Sequence, residues 1–207
     1  MARRKADSET IRRRYDRVAF LYDLVESPME AMGMAKWREK LWQRARGRVL
    51  EIGVGTGKNM AWYPPDAEVT AIDLSPKMLA RARRRAERDG IDVSLLEMDV
   101  EKLGFTDNYF DTVIATCVFC SVPDPVRGLK EVARVCKPDG QVLLLEHVRS
   151  SGALLGPLMD LLNPLIVRLY GANINRPTAD NIRMAGLKII NETNFSRDIV
   201  KEFIATV

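Results

Sequence analysis

Histidine and cysteine are scarce in this chain, which has one histidine and three cysteines among its 207 residues. An odd number of cysteines cannot close a disulfide framework. Cys117 and Cys120 form a C-x-x-C pair, but no second pair or neighbouring histidine completes a zinc site, so we expect buried thiols and no metal. No apolar run reaches the ~18 residues of a membrane-spanning helix, and the basic N-terminus lacks the apolar centre of a signal peptide. These absences predict a cytoplasmic protein.

The basic excess of the chain is small and is concentrated at the N-terminus. The formal net charge is +4, yet seven of the first seventeen residues are Arg or Lys, against three Asp or Glu. An apolar stripe at steps of three or four accompanies these cations and predicts an amphipathic helix within residues 1–30. The helix either packs over the domain or lets its arginines reach lipid phosphates, and both interpretations stay open. A second basic run, at 81–88, is typical of a solvated helix face.

Apolar, β-branched segments alternate with helical segments after residue 47. This order predicts an α/β fold with a mostly parallel sheet, right-handed crossovers and helices on both faces. The last two strands are joined by a link too short for a crossover, so they form an antiparallel hairpin. The predicted strands are 48–52, 68–72, 93–97, 111–116, 141–146, 187–192 and 199–205, and the predicted helices between them include 58–63, 76–88 and 125–136.

Three glycines at alternate positions follow the first predicted strand. They lie in the run Glu51-x-Gly53-x-Gly55-x-Gly57, and Asp73 ends the next strand. Such glycines leave no Cβ between the backbone and a ligand, and an acid at this position can accept hydrogen bonds from both ribose hydroxyls. The spacing differs from the G-x-G-x-x-G fingerprint of dinucleotide-binding proteins. It resembles instead the S-adenosylmethionine site of class I methyltransferases, whose sheet is seven-stranded, Rossmann-like and closed by an antiparallel hairpin.

The resemblance covers nearly the whole chain and implies a methyltransferase domain at 31–207, which uses S-adenosylmethionine and releases S-adenosylhomocysteine. It implies that Asp73 binds the ribose, that Asp99 accepts from the adenine amino group, and that Thr116 and Cys117 lie beside the sulfonium. The helix that begins after Gly57 can hold the methionine carboxylate. The expected cofactor-binding residues are Glu51, Gly53, Gly55, Gly57, Asn59, Asp73, Leu74, Met78, Asp99, Val100, Thr116 and Cys117.

A second motif lies in the N-terminal helix. Residues 15–23 resemble the Y-D-x-x-A-x-x-Y-D segment of quinone and phospholipid methyltransferases, where this helix covers the cofactor. We expect Tyr15 and Tyr22 to share a helix face and to direct both rings towards the methyl group, where an aromatic face attracts a cationic nitrogen. His147, at the end of the fifth predicted strand, is the candidate base. The candidate substrate-binding residues are Glu146, Arg149, Tyr170 and Arg176.

A leucine-rich insertion at 152–172, interrupted by Pro157 and Pro164, follows the fifth predicted strand. Ligands in open α/β sheets bind beyond the carboxyl ends of the strands, so this insertion predicts an apolar substrate or a lipid surface, with ordinary core packing as the alternative.

These features together resemble bacterial phospholipid N-methyltransferases, which convert phosphatidylethanolamine towards phosphatidylcholine at the inner face of the cell membrane. The resemblance implies an anionic membrane surface and a phospholipid as partners. C-methylation of a quinone precursor, methylation of a small apolar thiol or amine, and a binding module with a vestigial cofactor site remain alternatives. We expect no nucleic-acid substrate, because the Asn/Asp-Pro-Pro-Tyr/Phe signature is absent after the fourth predicted strand. The sequence leaves the oligomeric state open.

Overall fold

The computed structural model describes residues 7–25, 27, 30–169, 171–196 and 198–207, with the backbone alone at 25, 31, 32 and 169. In this part of the chain one seven-stranded sheet has the order β3-β2-β1-β4-β5-β7-β6. The first five strands pair in parallel, and β7 runs antiparallel to both β5 and β6. The strands are β1 (Arg48–Ile52), β2 (Glu68–Asp73), β3 (Ser94–Glu97), β4 (Phe110–Thr116), β5 (Cys136–His147), β6 (Lys188–Phe195) and β7 (Val200–Thr206).

Helices cover both faces of this sheet. The α-helices are α1 (Ser8–Val18), α2 (Tyr22–Val25), α3 (Ala35–Trp42), α4 (Pro76–Asp89), α5 (Pro125–Val135), α6 (Leu155–Leu169) and α7 (Thr178–Met184). A π-helical turn, Glu30–Met34, precedes α3, and a 3₁₀ helix, Lys58–Trp62, follows β1. Two long helices begin at side-chain caps that satisfy a free backbone amide: Ser75 accepts from Met78 N–H in α4, and Asp124 accepts from Arg127 N–H in α5.

The core consists of apolar layers on the two faces of the sheet. Alternate residues of the central strand β5 point to opposite faces, so Leu144 packs with α5 and α7 whereas Leu143 packs with Trp42 of α3. Both leucines are completely buried. The sheet therefore holds the carboxyl ends of β1, β2, β4 and β5 at one edge, where the functional site lies.

The predicted seven-stranded, mostly parallel sheet and its antiparallel C-terminal hairpin are confirmed. The fifth strand starts five residues earlier than predicted, because Cys136 pairs with Phe110 ahead of a register shift, after which Gln141 pairs with Thr112. The helix predicted after Gly57 is a short 3₁₀ helix. The leucine-rich insertion is not broken at its prolines: Pro157 lies in the first turn of α6, and the helix continues through Pro164.

The N-terminal helix also differs from the prediction. The apolar stripe predicted one amphipathic helix within residues 1–30, but α1 ends at Val18 and α2 begins only at Tyr22. The turn between them leaves Phe20 and Leu21 exposed to solvent.

Burial predicts which leucine-to-alanine or isoleucine-to-alanine changes destabilise the fold. Leu143→Ala should lower the free energy of unfolding by about 2–5 kcal/mol, since it leaves a cavity between β5 and α3. Ile190→Ala, on the outer strand β6 where the side chain is 57% exposed, should change it by less than about 0.5 kcal/mol. Urea denaturation of both variants and the wild type measures the difference, and equal losses would contradict the assigned core.

Candidate active site

A cavity of about 710 Å³, counting the part that opens to solvent, lies at the carboxyl edge of the sheet. The loop after β1, the end of β2, the loop after β3 and the end of β4 form its floor, and α1 and α2 cover it. Its position beyond the carboxyl ends of parallel strands and its mixed lining are typical of a small-molecule site. Nine of the twelve predicted cofactor-binding residues line it: Gly53, Gly55, Asp73, Leu74, Met78, Asp99, Val100, Thr116 and Cys117.

The three loop glycines all have positive φ but different surroundings. A Cβ at Gly53 would contact Val118, and one at Gly57 would lie 2.8 Å from the Met60 sulfur. A Cβ at Gly55 would meet nothing within 4 Å, because this residue faces the cavity. Gly55 is therefore the position where the backbone is open to a ligand, whereas Gly57 serves the packing of the loop.

Asp73 joins the glycine loop to α4. Its Oδ2 accepts the Gly55 N–H at 2.8 Å, and its Oδ1 accepts the Ser75 N–H at 2.8 Å. Burial raises the pKa of Asp73 to about 6, although both amide bonds favour the ionised form. The predicted ribose-binding acid therefore lies in the cavity wall and fixes the loop as well.

Glu51 and Asn59 lie behind this wall and do not line the cavity. Glu51 is buried in β1, where its Oε1 accepts from Asn59 Nδ2 at 2.6 Å and its Oε2 accepts from the Tyr63 hydroxyl. Asn59 also donates to Thr116 Oγ1 at 3.3 Å. Burial raises the pKa of Glu51 to about 7. The structure thus gives Glu51 and Asn59 the task of attaching the 3₁₀ helix to the sheet, in place of the direct cofactor contact that the sequence predicted.

The two tyrosines of the N-terminal motif meet over the cavity. Tyr15 and Tyr22 both line it, and their ring centroids are 6.0 Å apart. The Tyr15 hydroxyl is hydrogen-bonded to Ser121 Oγ at 2.6 Å, across a separation of 106 residues. Lys58 Nζ lies 5.9 Å from the centre of the Tyr22 ring. Tyr15 and Tyr22 were predicted to share a face of one helix. They face the same cavity although the helix is interrupted, because the turn at 19–21 places α2 over the cavity as well.

The two aspartates of the same motif attach the cover to the body of the domain. Asp16 accepts from the Ser75 hydroxyl at 2.6 Å, and Asp23 accepts from the Thr56 hydroxyl at 2.6 Å. Asp23 also pairs with Arg81 at 2.8 Å, and Arg81 donates to two carbonyls in the turn between α1 and α2. The interpretation of residues 81–88 as a simple solvated face is therefore wrong for Arg81, whose partly buried guanidinium holds α1 and α2 in place.

Glu146 and His147 end β5, but neither lines the cavity. Glu146 is completely buried, and its Oε1 accepts from the backbone amides of Val118 at 2.9 Å and Phe119 at 3.1 Å. Burial raises the pKa of Glu146 to about 7. It holds the loop after β4 and is placed to support the site from behind, in contrast to the predicted substrate contact.

His147 is partly buried, and its Nδ1 is shielded from solvent without a hydrogen-bond partner among the described residues. Burial lowers the pKa of its imidazole, against the opposite effect of a backbone hydrogen bond with Ile174. The neutral ring could accept a proton. The sequence predicted that this ring lies at the cavity wall, but in the structure it does not line the cavity.

The predicted substrate-binding arginines have partners within the protein. Arg149 forms a two-pronged ion pair with Asp160 of α6, with contacts of 2.8 Å and 3.1 Å. Arg176 donates to the carbonyls of Cys120 and Val122, and burial lowers its pKa. Both arginines therefore fasten the segments around the site and do not reach into it. Tyr170 lies outside the described residues.

Sequence reasoning missed part of the lining. Ser121, Met98 and Pro123 line the cavity, and Ser121 lacked any local pattern that could have revealed its contact with Tyr15. The three cysteines are free thiols, and Cys120 is buried as expected. The described residues contain no group of three or more potential metal ligands. They also contain no helix with the length and apolar content that crossing a membrane would need.

The fold is shared with solved methyltransferases. A protein of Thermotoga maritima, described as an S-adenosylmethionine-dependent methyltransferase and possible histamine N-methyltransferase, superposes with a TM-score of 0.71 at 21% identity. The match covers 95% of this chain and 99% of that one. At this identity the likeness establishes the fold alone.

Sequence comparison defines the family. A methyltransferase domain family matches residues 50–144. A phosphatidylethanolamine N-methyltransferase of Cereibacter sphaeroides is 45% identical over 111 residues, which are 52% of this chain and only 55% of that protein. A ubiquinone/menaquinone biosynthesis C-methyltransferase of Bdellovibrio bacteriovorus is 31% identical over 83% of this chain and 76% of its own length. With the sheet order and the open glycine loop, these matches show that the chain belongs to the class I S-adenosylmethionine-dependent methyltransferases.

Proposed function

We propose that the protein methylates the amine of phosphatidylethanolamine, towards phosphatidylcholine, at a membrane surface. The observation that carries the proposal is the 45% identity to a phosphatidylethanolamine N-methyltransferase, although that match spans about half of each chain. Two features of the site support it. The two cavity tyrosines offer aromatic faces to a nitrogen that gains positive charge during transfer. The helix α6 presents leucines to solvent and is linked through Asn163 and Asn173 to the loop after β4.

Bound S-adenosylmethionine supplies an electrophilic methyl group, and the residues of the chain position both reactants. In the proposal Asp73 accepts from the ribose hydroxyls while it keeps the Gly55 loop in place. Asp99 and Met78, which line the cavity, contact the adenine, and Thr116 and Cys117 lie at the reacting end. The cover formed by α1 and α2 excludes water from that end, where Tyr15 and Tyr22 orient the acceptor amine.

C-methylation of a quinone precursor is the second candidate. The relative of Bdellovibrio bacteriovorus favours it, since that match spans more of the chain at lower identity. A flat aromatic ring could also stack on Tyr15 or Tyr22. The two candidates differ in the acceptor atom, a nitrogen or a ring carbon, so product analysis separates them.

We also propose that the protein is cytoplasmic and peripheral on the inner face of the membrane. Two groups of cations near the N-terminal helix differ in whether they are paired among the described residues, and this difference decides which of them we expect to contact lipid. Arg12 and Arg13 are both paired with Glu9 at 2.8 Å, so their charge is partly neutralised. A groove between α1 and α4 collects Arg17, Lys77 and Arg84 beside Phe20, which is 75% exposed. An exposed ring between cations is typical of a surface that inserts into an anionic lipid interface.

The acceptor assignment predicts a specific product pattern. Purified protein with labelled S-adenosylmethionine should label phosphatidylethanolamine in mixed micelles and leave demethylmenaquinone unlabelled, as resolved by thin-layer chromatography. Tyr15→Phe should lower turnover about fivefold or more, because the ring loses its bond to Ser121. His147→Ala should have a much smaller effect, since this residue does not line the cavity. Label in the quinone alone would reject the proposal.

The cofactor assignment predicts a large effect at Asp73. Asp73→Ala removes the ribose acceptor and the clamp on the Gly55 amide, so the affinity for S-adenosylhomocysteine should fall at least tenfold in calorimetry. Gly55→Val should abolish binding, because its side chain would occupy open cavity space. Gly90→Ala is the control: Gly90 also has a positive φ and an open surrounding, but it ends α4 away from the cavity. An unchanged affinity of the Asp73→Ala protein for S-adenosylhomocysteine would contradict the assignment of Asp73 as the ribose-binding residue.

The membrane proposal predicts that the groove cations matter more than the paired ones. Each lysine or arginine near an anionic surface contributes about 1 kcal/mol, so Arg17→Ala, Lys77→Ala and Arg84→Ala together should strongly reduce flotation with phosphatidylglycerol vesicles. The matched control, Arg12→Ala with Arg13→Ala, should reduce it less, because both arginines are paired with Glu9. Equal loss in the two variants, or equal flotation with neutral vesicles, would contradict the assigned surface.

A further inference from the structure

The guanidinium of Arg14, on α1, contains a buried hydrogen-bond donor. Its Nη1 is shielded from solvent and has no hydrogen-bond partner among the described residues. A shielded guanidinium N–H without an acceptor is costly, because it loses water and gains nothing in return. Its neighbours Arg12 and Arg13 on α1 are instead paired with Glu9. Among these three arginines of α1, Arg14 is thus the one with a buried guanidinium N–H that has no acceptor among the described residues.

The neighbours of Arg14 in the sequence and in space define its position. It precedes Tyr15, whose hydroxyl is bonded to Ser121 at the cavity wall. On its other side a Cβ at Gly171, just beyond α6, would lie 3.3 Å from Arg14 Cδ and 4.0 Å from Nη1. Asn173 follows Gly171 and is tied to the Cys120 carbonyl, next to Ser121. Arg14 does not itself line the cavity; it lies next to the cavity residue Tyr15 on α1 and against Gly171, just beyond the C-terminal end of α6.

The apolar surface of α6 continues from this point. Leu165, Leu161 and Leu158 recur along the helix at steps of three or four and are 56%, 76% and 48% exposed. The order in space is therefore aromatic cavity, cationic guanidinium and apolar helix. A phospholipid has the same order along its length, with an amine, a phosphate and then acyl chains.

We propose that Arg14 binds the phosphate diester of the phospholipid acceptor. The inference rests on the proposed function. Arg14 takes the phosphate-binding role in place of Arg149 and Arg176, whose guanidinium groups are bound by Asp160 and by loop carbonyls. The guanidinium is always charged and matches two phosphate oxygens with two N–H groups. The ethanolamine bridge separates the amine from the phosphate by only a few bonds, and Tyr15 and Arg14 lie in the same turn of α1. Arg14 is in this account a specificity-determining residue that sets how far the amine enters the cavity.

The test compares two soluble acceptors by calorimetry on protein saturated with S-adenosylhomocysteine. One is dihexanoylphosphatidylethanolamine below its micelle concentration, and the other is the dihexanoylglycerol aminoethyl ether, which keeps the amine and the chains but lacks the phosphate. Arg14→Met should weaken the phospholipid about 10- to 100-fold and leave the ether within about twofold. Arg13→Met is the matched control on the same helix and should leave both affinities unchanged. Arg14→Lys should restore the phospholipid only in part, since a lysine cannot form the two-pronged contact.

The possible outcomes separate the two proposals. Equal weakening of both acceptors in Arg14→Met would show a structural role and overturn the inference, as would an unchanged phospholipid affinity or a wild type that binds no phospholipid. Inorganic phosphate that binds in an Arg14-dependent way, while the phospholipid does not, would overturn the lipid assignment in favour of a free anion. A wild type that binds the phospholipid through Arg14 but transfers no methyl group to it would reject the proposed function and leave the phosphate site intact.

Discussion

Buried carboxylates at the ends of the parallel strands hold the loops that form the cavity. Asp73, at the end of β2, accepts amides from the glycine loop and from the start of α4. Glu146, at the end of β5, accepts two amides from the loop after β4. Glu51 in β1 holds the 3₁₀ helix. Burial raises the pKa of all three, to about 6 for Asp73 and about 7 for the glutamates. Because the folded state binds their protons more tightly than the unfolded chain, they lower stability as pH rises from about 4 to about 7.

The cover over the cavity depends on the same frame. Ser75 caps α4 and donates its backbone N–H to Asp73, and its hydroxyl donates to Asp16 of α1. Thr56 of the glycine loop donates to Asp23 of α2. The two residues of the repeated Tyr-Asp dipeptide thus have different roles. Each tyrosine faces the cavity, and each aspartate attaches its helix to an element that also forms the floor of the cavity. The cover is therefore attached to the glycine loop and to the start of α4 through these two hydroxyls.

The sequence predicted those features that depend on local patterns. Alternating apolar residues located the strands, and the glycine run with Asp73 located the cofactor loop. The sequence did not show that Arg81 binds the turn about sixty residues earlier, or that Ser121 contacts Tyr15. A local pattern predicts the secondary structure and the face on which a residue lies, but it does not identify a partner that is distant in the sequence. Glu146 was misplaced for a related reason: its place at a strand end is the same whether it faces a ligand or a neighbouring loop. The domain boundary near residue 30 stays a prediction.

The central claim is that ionised Asp73 holds both the glycine loop and the cofactor, and the pH dependence of S-adenosylhomocysteine binding tests it directly. With a pKa of about 6 in the free protein, Asp73 is ionised above pH 6, and binding that needs the carboxylate must weaken as pH falls through this value. Calorimetry from pH 7.5 to pH 5 should show an affinity that falls by up to tenfold for each pH unit below about 6 in the wild type. In Asp73→Asn the affinity should be low and nearly constant. A wild-type affinity that stays constant across this range would contradict the account.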